Sequence, residues 1–226
     1  MKRIITCFLM LSILVCFVSC KNTTDDNTQE SSTTMSLEES LRENFGDLYD
    51  GLDTGILMEG SLNSYWKLNG DTITLFGDGA FISMAASFFP WRNVDEHIIK
   101  VHVAGGVTSI SSYGFYDYDN LVEVKIENGS FIGMGMGCFG GNENLKSVKF
   151  GDSLREIPTE AFIRCGSLEY ISIHATVTQI GYDAFKDCTS LKTINYSGSE
   201  ADWNKIIIEE GNESLKQAKI IFNNGN

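Results

Sequence analysis

Proline and cationic residues are scarce in this chain of 226 residues. Only two prolines are present, so the chain has no Pro-rich linker. Seventeen Lys and Arg are outnumbered by thirty Asp and Glu, and the net charge of −13 argues against binding to nucleic acid or to anionic membrane surfaces. Three histidines, which do not cluster with the cysteines, speak against a zinc site. The hydrophobic fraction of 42% is nevertheless sufficient for a core.

No apolar run reaches the length of about 20 residues that a membrane-spanning helix needs. The run from Ile4 to Ser19 is uncharged and follows Lys2 and Arg3. A short apolar run behind two cationic residues predicts a signal peptide over residues 1–19 and therefore an exported protein. Removal of this segment changes the net charge from −13 to −15, because Lys2 and Arg3 are its only charged residues.

The end of this run resembles a bacterial lipoprotein cleavage site. A small residue, Ser19, directly precedes Cys20 in the sequence Phe17-Val18-Ser19-Cys20. The resemblance implies that Cys20 becomes the first residue and carries lipid on its thiol and amine, and two or three acyl chains anchor a protein stably. The alternative is ordinary cleavage near Ser19, which leaves Cys20 as a free thiol.

One sequence phrase occurs five times between Ile98 and Tyr196, at spacings of 23, 24, 23 and 23 residues. Each copy begins with the pattern apolar-x-x-apolar-x-apolar, which is typical of a strand with one buried face. Self-similarity at this period indicates a solenoid, in which each coil buries its apolar side chains against its neighbours. The five triplets are Ile98/Val101/Val103, Leu121/Val124/Ile126, Leu145/Val148/Phe150, Leu168/Ile171/Ile173 and Leu191/Ile194/Tyr196.

Further positions of the repeat are also fixed. A second apolar pair, a Phe preceded by a small residue, and a Cys or Tyr follow the triplet at constant offsets. The second coil contains one extra residue within 127–130, so its apolar residues follow one position late. These positions are Val107/Ile110, Leu154/Ile157 and Val177/Ile180, then Phe115, Phe162 and Phe185, then Tyr118, Cys165 and Cys188, with Phe131, Met134, Cys138 and Phe139 in the second coil.

Stacking of the coils predicts that equivalent side chains lie on one another, about 4.7–4.9 Å apart where strands pair in parallel. The core then consists of rows of Leu and of Phe along the solenoid axis. Parallel stacking also holds the Cβ atoms of Cys165 and Cys188 farther apart than the range of about 3.5–4.5 Å that a disulfide prefers. We therefore predict that Cys138, Cys165 and Cys188 are buried free thiols.

These phrases resemble the BspA-like leucine-rich repeats of bacterial surface proteins, a resemblance that extends over about residues 60–224. It implies a right-handed leucine-rich-repeat solenoid with a face of parallel β-strands, short helical or 3-10 turns, and a cap at each end. The matching segments are 145–150, 157–162, 165–168, 180–185 and 188–191 in the repeats, 65–71, 76–79 and 90–91 upstream, and 196–198, 202–206 and 211–215 downstream.

The flanking segments complete the predicted organisation. Residues 20–35 form a flexible tether, because 21–34 contains no apolar residue. Residues 36–50 form an amphipathic helix that either packs against the N-terminal end of the solenoid or contacts a membrane or partner. Residues 51–97 form an N-terminal cap with a hairpin whose turn is Asn69-Gly70. Residues 98–196 hold the repeats and 197–226 a C-terminal cap. The apolar positions of the helix are Leu37, Leu41, Phe45 and Leu48.

The outward residues of the five strands form columns, because side chains alternate between the faces of a strand. One interpretation is that they are simply solvated, and the other is that they form a weakly cationic recognition strip. Tyr170 is the best single anchor, since aromatic residues are favoured at hot spots. The predicted partner-binding residues are Lys100, His102, Glu123, Lys125, Lys149, Tyr170, Ser172, Thr193 and Asn195. The columns also include Ser147, and a third one contains Ala104, Glu127, Gly151, His174 and Ser197.

The sequence contains no motif that predicts catalysis. A Gly-x-Ser-x-Gly elbow, a phosphate loop and a His-Glu-x-x-His helix are absent. Gly133–Gly137 is rich in glycine but lies inside a repeat, so we interpret it as a local turn variant. His102 and His174 lie three coils apart, about 15 Å at the spacing of parallel strands, and cannot share a metal ion. We predict neither an enzyme nor a cofactor.

We therefore expect a lipid-anchored protein that binds a protein or glycoprotein at the bacterial cell surface. We expect it to be located at the outer membrane and to be monomeric. The resemblance to BspA-like proteins implies a role in adhesion. The alternatives are a glycan-binding accessory lipoprotein and a periplasmic envelope scaffold. The single tyrosine of the strip argues against glycan binding, because sugar sites usually present flat aromatic side chains.

Overall fold

A computed structural model describes residues 55–56, 64–81, 89–129, 131 and 133–223, without the side chains of 55–56, 90, 93 and 94. The predicted signal peptide, tether and amphipathic helix, and the lipid attachment residue Cys20, lie outside the described residues.

The described chain folds into stacked coils, each with a longer strand on one side and a two-residue strand after the next turn. The strands are β1 Gly55–Ile56, β2 Ser64–Asn69, β3 Thr72–Gly77, β4 Ala80–Phe81, β5 Lys100–Val103, β6 Ser109–Ile110, β7 Glu123–Ile126, β8 Gly133–Met134, β9 Ser147–Lys149, β10 Glu156–Ile157, β11 Tyr170–Ile173, β12 Gln179–Ile180, β13 Thr193–Tyr196, β14 Ile207–Ile208 and β15 Lys219–Phe222. The helices are a 3-10 helix Pro90–His97, α1 Glu200–Trp203 and α2 Glu213–Gln217.

The longer strands, together with the two-residue β1, form one nine-stranded sheet in the order β1-β2-β3-β5-β7-β9-β11-β13-β15, which is parallel from β3 onward. The short strands form two sheets, β4-β6-β8 and β10-β12-β14. Along β7, Glu123 and Lys125 are exposed whereas Val124 and Ile126 are buried, as the alternating sequence pattern requires. The predicted solenoid is therefore confirmed.

The repeated aromatic residues form a continuous stack through the core. Phe115, Phe139, Phe162 and Phe185 stack with centroid distances of 5.6, 5.8 and 5.3 Å and interplanar angles of 18° or less. Trp91 of the 3-10 helix extends the stack, since its ring lies 5.1 Å from Phe115 at an angle of 10°. All of these rings are buried, which confirms the predicted Phe row and adds one member at its N-terminal end.

Each coil returns across the core through a segment that we call an outer arch; the arches are 111–118, 135–142, 158–165 and 181–188. In the first arch, the N–H groups of Tyr113, Phe115 and Asp117 donate to carbonyls of the next arch at 3.0, 2.8 and 2.9 Å. Tyr113 and Asp117 have φ of 60° and 61°, and Glu160 and Arg164 repeat this in the third arch with 59° and 60°. The left-handed conformation costs free energy for residues other than glycine. Here it directs backbone N–H and carbonyl groups along the stacking axis, where they form hydrogen bonds with the neighbouring arch.

A polar residue occupies a core position that the sequence pattern assigns to Tyr118, Cys165 and Cys188. This residue is Asn142 of the second coil, which is fully buried. Its Oδ1 accepts from Tyr118 N at 2.7 Å, and its Nδ2 donates to the carbonyls of Phe115 and Phe139 at 2.8 Å. Every polar atom of the amide is thus bonded, which makes its burial tolerable.

The N-terminal hairpin is confirmed, with its turn shifted by one residue. β2 and β3 pair from Ser64↔Gly77 to Asn69↔Thr72, so the loop is Gly70-Asp71 instead of Asn69-Gly70. Gly70 takes the left-handed conformation, φ 59°, at the first loop position. β3 then pairs in parallel with β5, so the hairpin covers the strand edge of the first coil.

The C-terminal cap continues both sides of the solenoid, because β14 pairs with β12 and β15 pairs with β13. Trp203 and Leu215 are buried against the last coil. Helix α1 begins with a capping box in which Ser199 and Asp202 bond each other's backbone N–H. The Lys205 ammonium at 2.7 Å and the Ser199 groups lower the pKa of Asp202 to about 2.

The prediction that the third column faces outward is wrong at two positions. Ala104 is 5% exposed and Gly151 is buried. Both residues follow the end of a strand, where the chain turns and the alternation of faces stops. A Cβ at Gly151 would lie 2.2 Å from the carbonyl oxygen of Glu127, so neighbouring backbones are in contact there.

Candidate binding face

The outward side of the nine-stranded sheet is the candidate site, and strand register places its residues in two rows. We call this surface the strand face. The rows are in the order that the repeat spacing predicts, and each continues into both caps. The first row is Asn69, Thr72, Lys100, Glu123, Ser147, Tyr170, Thr193 and Lys219, and the second is Lys67, Thr74, His102, Lys125, Lys149, Ser172, Asn195 and Ile221.

In the second row, the accessible part of the strand face begins at β5. Lys67 and Thr74 belong to the second row but are only 8% and 6% exposed. Farther along, Lys100, Glu123, Lys125 and Lys149 are exposed, and the other predicted site residues are half-buried. A ligand therefore reaches the surface from β5 to β15.

The charges at the β5 end are paired within the chain. Lys100 Nζ lies 3.3 Å from Asp71 Oδ2, and the Thr72 hydroxyl together with Lys100 lowers the pKa of Asp71. His102 Nε2 lies 2.8 Å from Glu127 Oε1, and Lys125 Nζ lies 3.5 Å from the same oxygen. The bond to His102, and then Lys125, lowers the pKa of Glu127. These carboxylates offset most of the positive charge of the predicted strip.

Lys149 is the exception among the exposed lysines of β5, β7 and β9. It is exposed, and no carboxylate of the described residues pairs with it. Lys149 lies opposite Ser172 on β11, so Tyr170 is its diagonal neighbour on that strand. An unpaired ammonium thus lies beside an aromatic ring near the middle of the face.

The hydroxyl of Tyr170 is held by a chain of amides. Asn195 Nδ2 donates to Tyr170 Oη at 3.3 Å, and Asn223 Nδ2 donates to Asn195 Oδ1 at 2.6 Å. The tyrosine is thereby oriented before a partner arrives, which reduces the entropy lost on binding. The Ser172 hydroxyl between these residues is shielded from solvent and has no hydrogen-bond partner, so it offers little to a ligand.

His174 is hydrogen-bonded within the chain, and the cysteine thiols are buried. His174 Nδ1 lies 3.1 Å from Thr176 Oγ1. The thiols of Cys165 and Cys188 donate to the carbonyls of Phe139 and Phe162 at 3.2 and 3.1 Å. Burial raises the pKa of Cys188 to about 12. All three predicted thiols are free and buried, as predicted.

Within the part of the chain that the structure describes, no three His, Cys, Asp or Glu side chains are grouped to hold a metal ion. In the same part of the chain, every helix is too short or too polar to cross a membrane.

Solved structures of three bacterial proteins are similar to this chain. A leucine-rich repeat protein from Eubacterium ventriosum is 22% identical with a TM-score of 0.46, over 61% of this chain and 43% of its own. A leucine rich cell surface protein from Faecalibacterium prausnitzii is 22% identical with a TM-score of 0.40, over 73% and 45%. The leucine rich repeat protein TpLRR of T. pallidum is 22% identical with a TM-score of 0.42, over 70% and 60%. The chain thus spans less than two thirds of each of these proteins.

None of the curated proteins matches this chain. The sequence profile of the BspA type leucine rich repeat region, however, matches residues 91–217 in six copies, which is more than half of the chain. The first copy starts at Trp91, where the aromatic stack begins, and the last reaches Gln217, where α2 ends. The chain therefore belongs to the family of proteins with the BspA type leucine rich repeat region.

Proposed function

We propose that this repeat protein binds a protein or glycoprotein partner through its strand face, at the surface of a bacterial cell. The observation that supports the proposal is that Lys149, which has no carboxylate partner among the described residues, is the diagonal neighbour of Tyr170, which the Asn195–Asn223 chain holds in place. Aromatic residues that are already oriented are favoured at the centres of interfaces.

The chemistry of this pair defines the partner. Lys149 can pair with a carboxylate of the partner, and Tyr170 can contact an apolar or aromatic group. These two partner groups should be about 7–8 Å apart, which is the spacing of diagonal neighbours on adjacent strands. The strand-face residues of β13 and the remaining one of β11 are uncharged, since Ser172, Thr193 and Asn195 follow Tyr170, and the next charge is Lys219 on β15. An acidic group flanked by apolar and hydrogen-bonding groups fits this surface.

The compartment follows from the N-terminal sequence. We propose export by the signal peptide over residues 1–19 and anchoring by lipid on Cys20, with the tether of residues 20–35 holding the solenoid away from the membrane. Anchoring places the strand face where it can contact macromolecules outside the cell, which supports a role in adhesion. The resemblance of Phe17-Val18-Ser19-Cys20 to a lipoprotein cleavage site supports this anchor.

A matched pair of double variants tests the binding face. Lys149→Glu with Tyr170→Ala reverses the charge and removes the ring on the strand face. Lys186→Glu with Tyr182→Ala makes the same exchanges on an outer arch, where both residues are exposed. At least one envelope or extracellular protein captured by the wild type should be lost with the first variant and retained with the second. Equal capture by both variants, which circular dichroism shows to be folded, would remove the strand face from the proposal.

A second experiment tests the location. Intact cells are treated with protease, and the protein is followed by immunoblotting before and after lysis. Loss from intact cells supports the surface location, whereas survival until lysis supports a periplasmic scaffold. In parallel, Cys20→Ser should abolish incorporation of radiolabelled palmitate. Labelling of the Cys20→Ser variant at the wild-type level would exclude Cys20 as the anchor.

A further inference from the structure

A second cluster of side chains reaches the surface on the outer arches, across the core from the strand face; Met136 and Arg164 in it are exposed, and its other members are half-buried. We call it the arch cluster, and it consists of Tyr113, Tyr116, Met136, Ile163 and Arg164. The two tyrosine rings meet edge to face, with centroids 5.4 Å apart at an angle of 83°. Tyr113 N donates to the carbonyl of Met136 at 3.0 Å, so the arches that carry these residues are adjacent. Met136 is 40% exposed, which is high for an apolar side chain in this protein.

Glycines of the second arch make room for these rings. A Cβ at Gly137 would lie 2.5 Å from Tyr113 Cε1, and one at Gly140 would lie 2.9 Å from Tyr116 Cε2. The rings therefore rest against the backbone of the neighbouring coil, which limits their motion. The glycine-rich sequence around residue 137, which predicted only a turn variant, creates a platform for two tyrosines.

Arg164 completes the cluster. Its guanidinium lies 5.9 Å from the centroid of Tyr116, and its Nη2 donates to Tyr116 Oη at 2.6 Å. Arg164 is exposed, and no carboxylate of the described residues pairs with it. The neighbouring cation, Lys186, is instead paired with Asp183 at 3.0 Å. A guanidinium held on an aromatic ring with free donors is arranged to bind a carboxylate in bidentate geometry.

We propose that the arch cluster is a second binding surface, specific for an acidic segment of a partner protein. Arg164 pairs with a carboxylate of that segment, while Tyr113 and Met136 contact an adjacent apolar or aromatic side chain. Tyrosine, methionine and arginine are the residues enriched at the centres of protein interfaces, and the apolar flank of Met136 and Ile163 favours a peptide over a sugar acid. The proposal is independent of the strand face and gives the solenoid two binding sides.

Peptide display on the full-length protein tests this proposal. The probe is a library of random twelve-residue peptides, selected in parallel on the wild type and on Arg164→Asn. Asparagine tolerates the left-handed conformation that Arg164 adopts, so this variant retains the arch. Peptides enriched only on the wild type should contain Asp or Glu beside an apolar or aromatic residue. The most enriched peptide, once synthesised, should bind Arg164→Asn at least ten-fold more weakly than the wild type.

Two further variants separate the arch cluster from the strand face. Tyr116→Phe removes only the hydroxyl that holds Arg164, and it should weaken binding of the same peptide a few-fold. Lys149→Glu with Tyr170→Ala should leave its affinity unchanged. Enriched peptides without acidic residues, or equal affinity for the wild type and Arg164→Asn, would overturn the proposal. So would displacement of the peptide by oligogalacturonate at lower concentration than by an acidic peptide, because the site would then prefer a sugar acid.

Discussion

Replacing Phe162 by Ala removes a ring from the middle of the aromatic stack. Phe162 is fully buried and contacts Phe139 at 5.8 Å, Phe185 at 5.3 Å and Phe150 at 5.9 Å between centroids. A buried Phe→Ala exchange lowers the free energy of unfolding by about 3–5 kcal/mol. Each aromatic pair contributes about 0.5–1.5 kcal/mol beyond burial, so the loss of three pairs places Phe162→Ala near the upper end of that range.

Phe185→Ala is the matched control for this prediction. Phe185 is equally buried, but Phe162 is the only aromatic ring that pairs with it among the described residues. Its replacement should cost about 1–3 kcal/mol less, because two fewer aromatic pairs are lost. Urea titrations followed by circular dichroism measure both values. Equal costs for the two variants, or a Phe162→Ala curve identical to the wild type, would refute the reasoning from the stack.

Three further predictions concern buried amides, backbone conformation and acid. In urea titrations, Asn142→Ala should lower the free energy of unfolding by at least about 2 kcal/mol, because it leaves buried backbone groups without partners. Its control, Asn144→Ala at an exposed position, should lower the free energy of unfolding by under about 1 kcal/mol. Gly137→Ala should lower the free energy of unfolding by at least about 1–2 kcal/mol, since it strains a residue with φ of 61° and displaces the Tyr113 ring. Its control, Gly166→Ala, has open space around it and should leave the thermal melt unchanged. Asp202 stabilises the folded state when ionised, so its contribution is present above about pH 4 and is lost as the pH falls through its folded-state pKa of about 2. Asp202→Asn should therefore lower Tm more at pH 6 than at pH 2, where most of the contribution is already lost, and an equal shift at both values would contradict that assignment.

The core rows were predictable from sequence because their signal is local and repeated. Alternation within each strand identifies the buried residues, and the constant spacing identifies which of them stack. The repeat spacing could also have placed Trp91 in the aromatic stack. Trp91 precedes Phe115 by 24 residues, the same number that separates Phe115 from Phe139. Asn142 was missed because a polar residue in a core position does not fit a pattern of apolar residues, although its spacing from Cys165 is 23.

The electrostatics of the strand face could not be predicted in the same way. Asp71 lies in the hairpin turn and Glu127 follows the end of β7, so neither is a member of the two rows that contain the lysines. Their ion pairs depend on side-chain rotamers and on the register between coils, which repeat spacing does not specify. The arch cluster was missed for a related reason, because Tyr113 and Tyr116 contact glycines that lie one coil later in the chain.

A photo-crosslinking amino acid at Tyr170 tests most directly the central claim, that the strand face binds a partner. Benzoylphenylalanine replaces Tyr170 in one strain and the exposed Tyr182 of an outer arch in another, and intact cells are irradiated. We predict a discrete higher-mass adduct from the Tyr170 position and none of that mass from the Tyr182 position. The same adduct from both positions, or no adduct from the Tyr170 position, would contradict the assignment of the strand face as a binding surface.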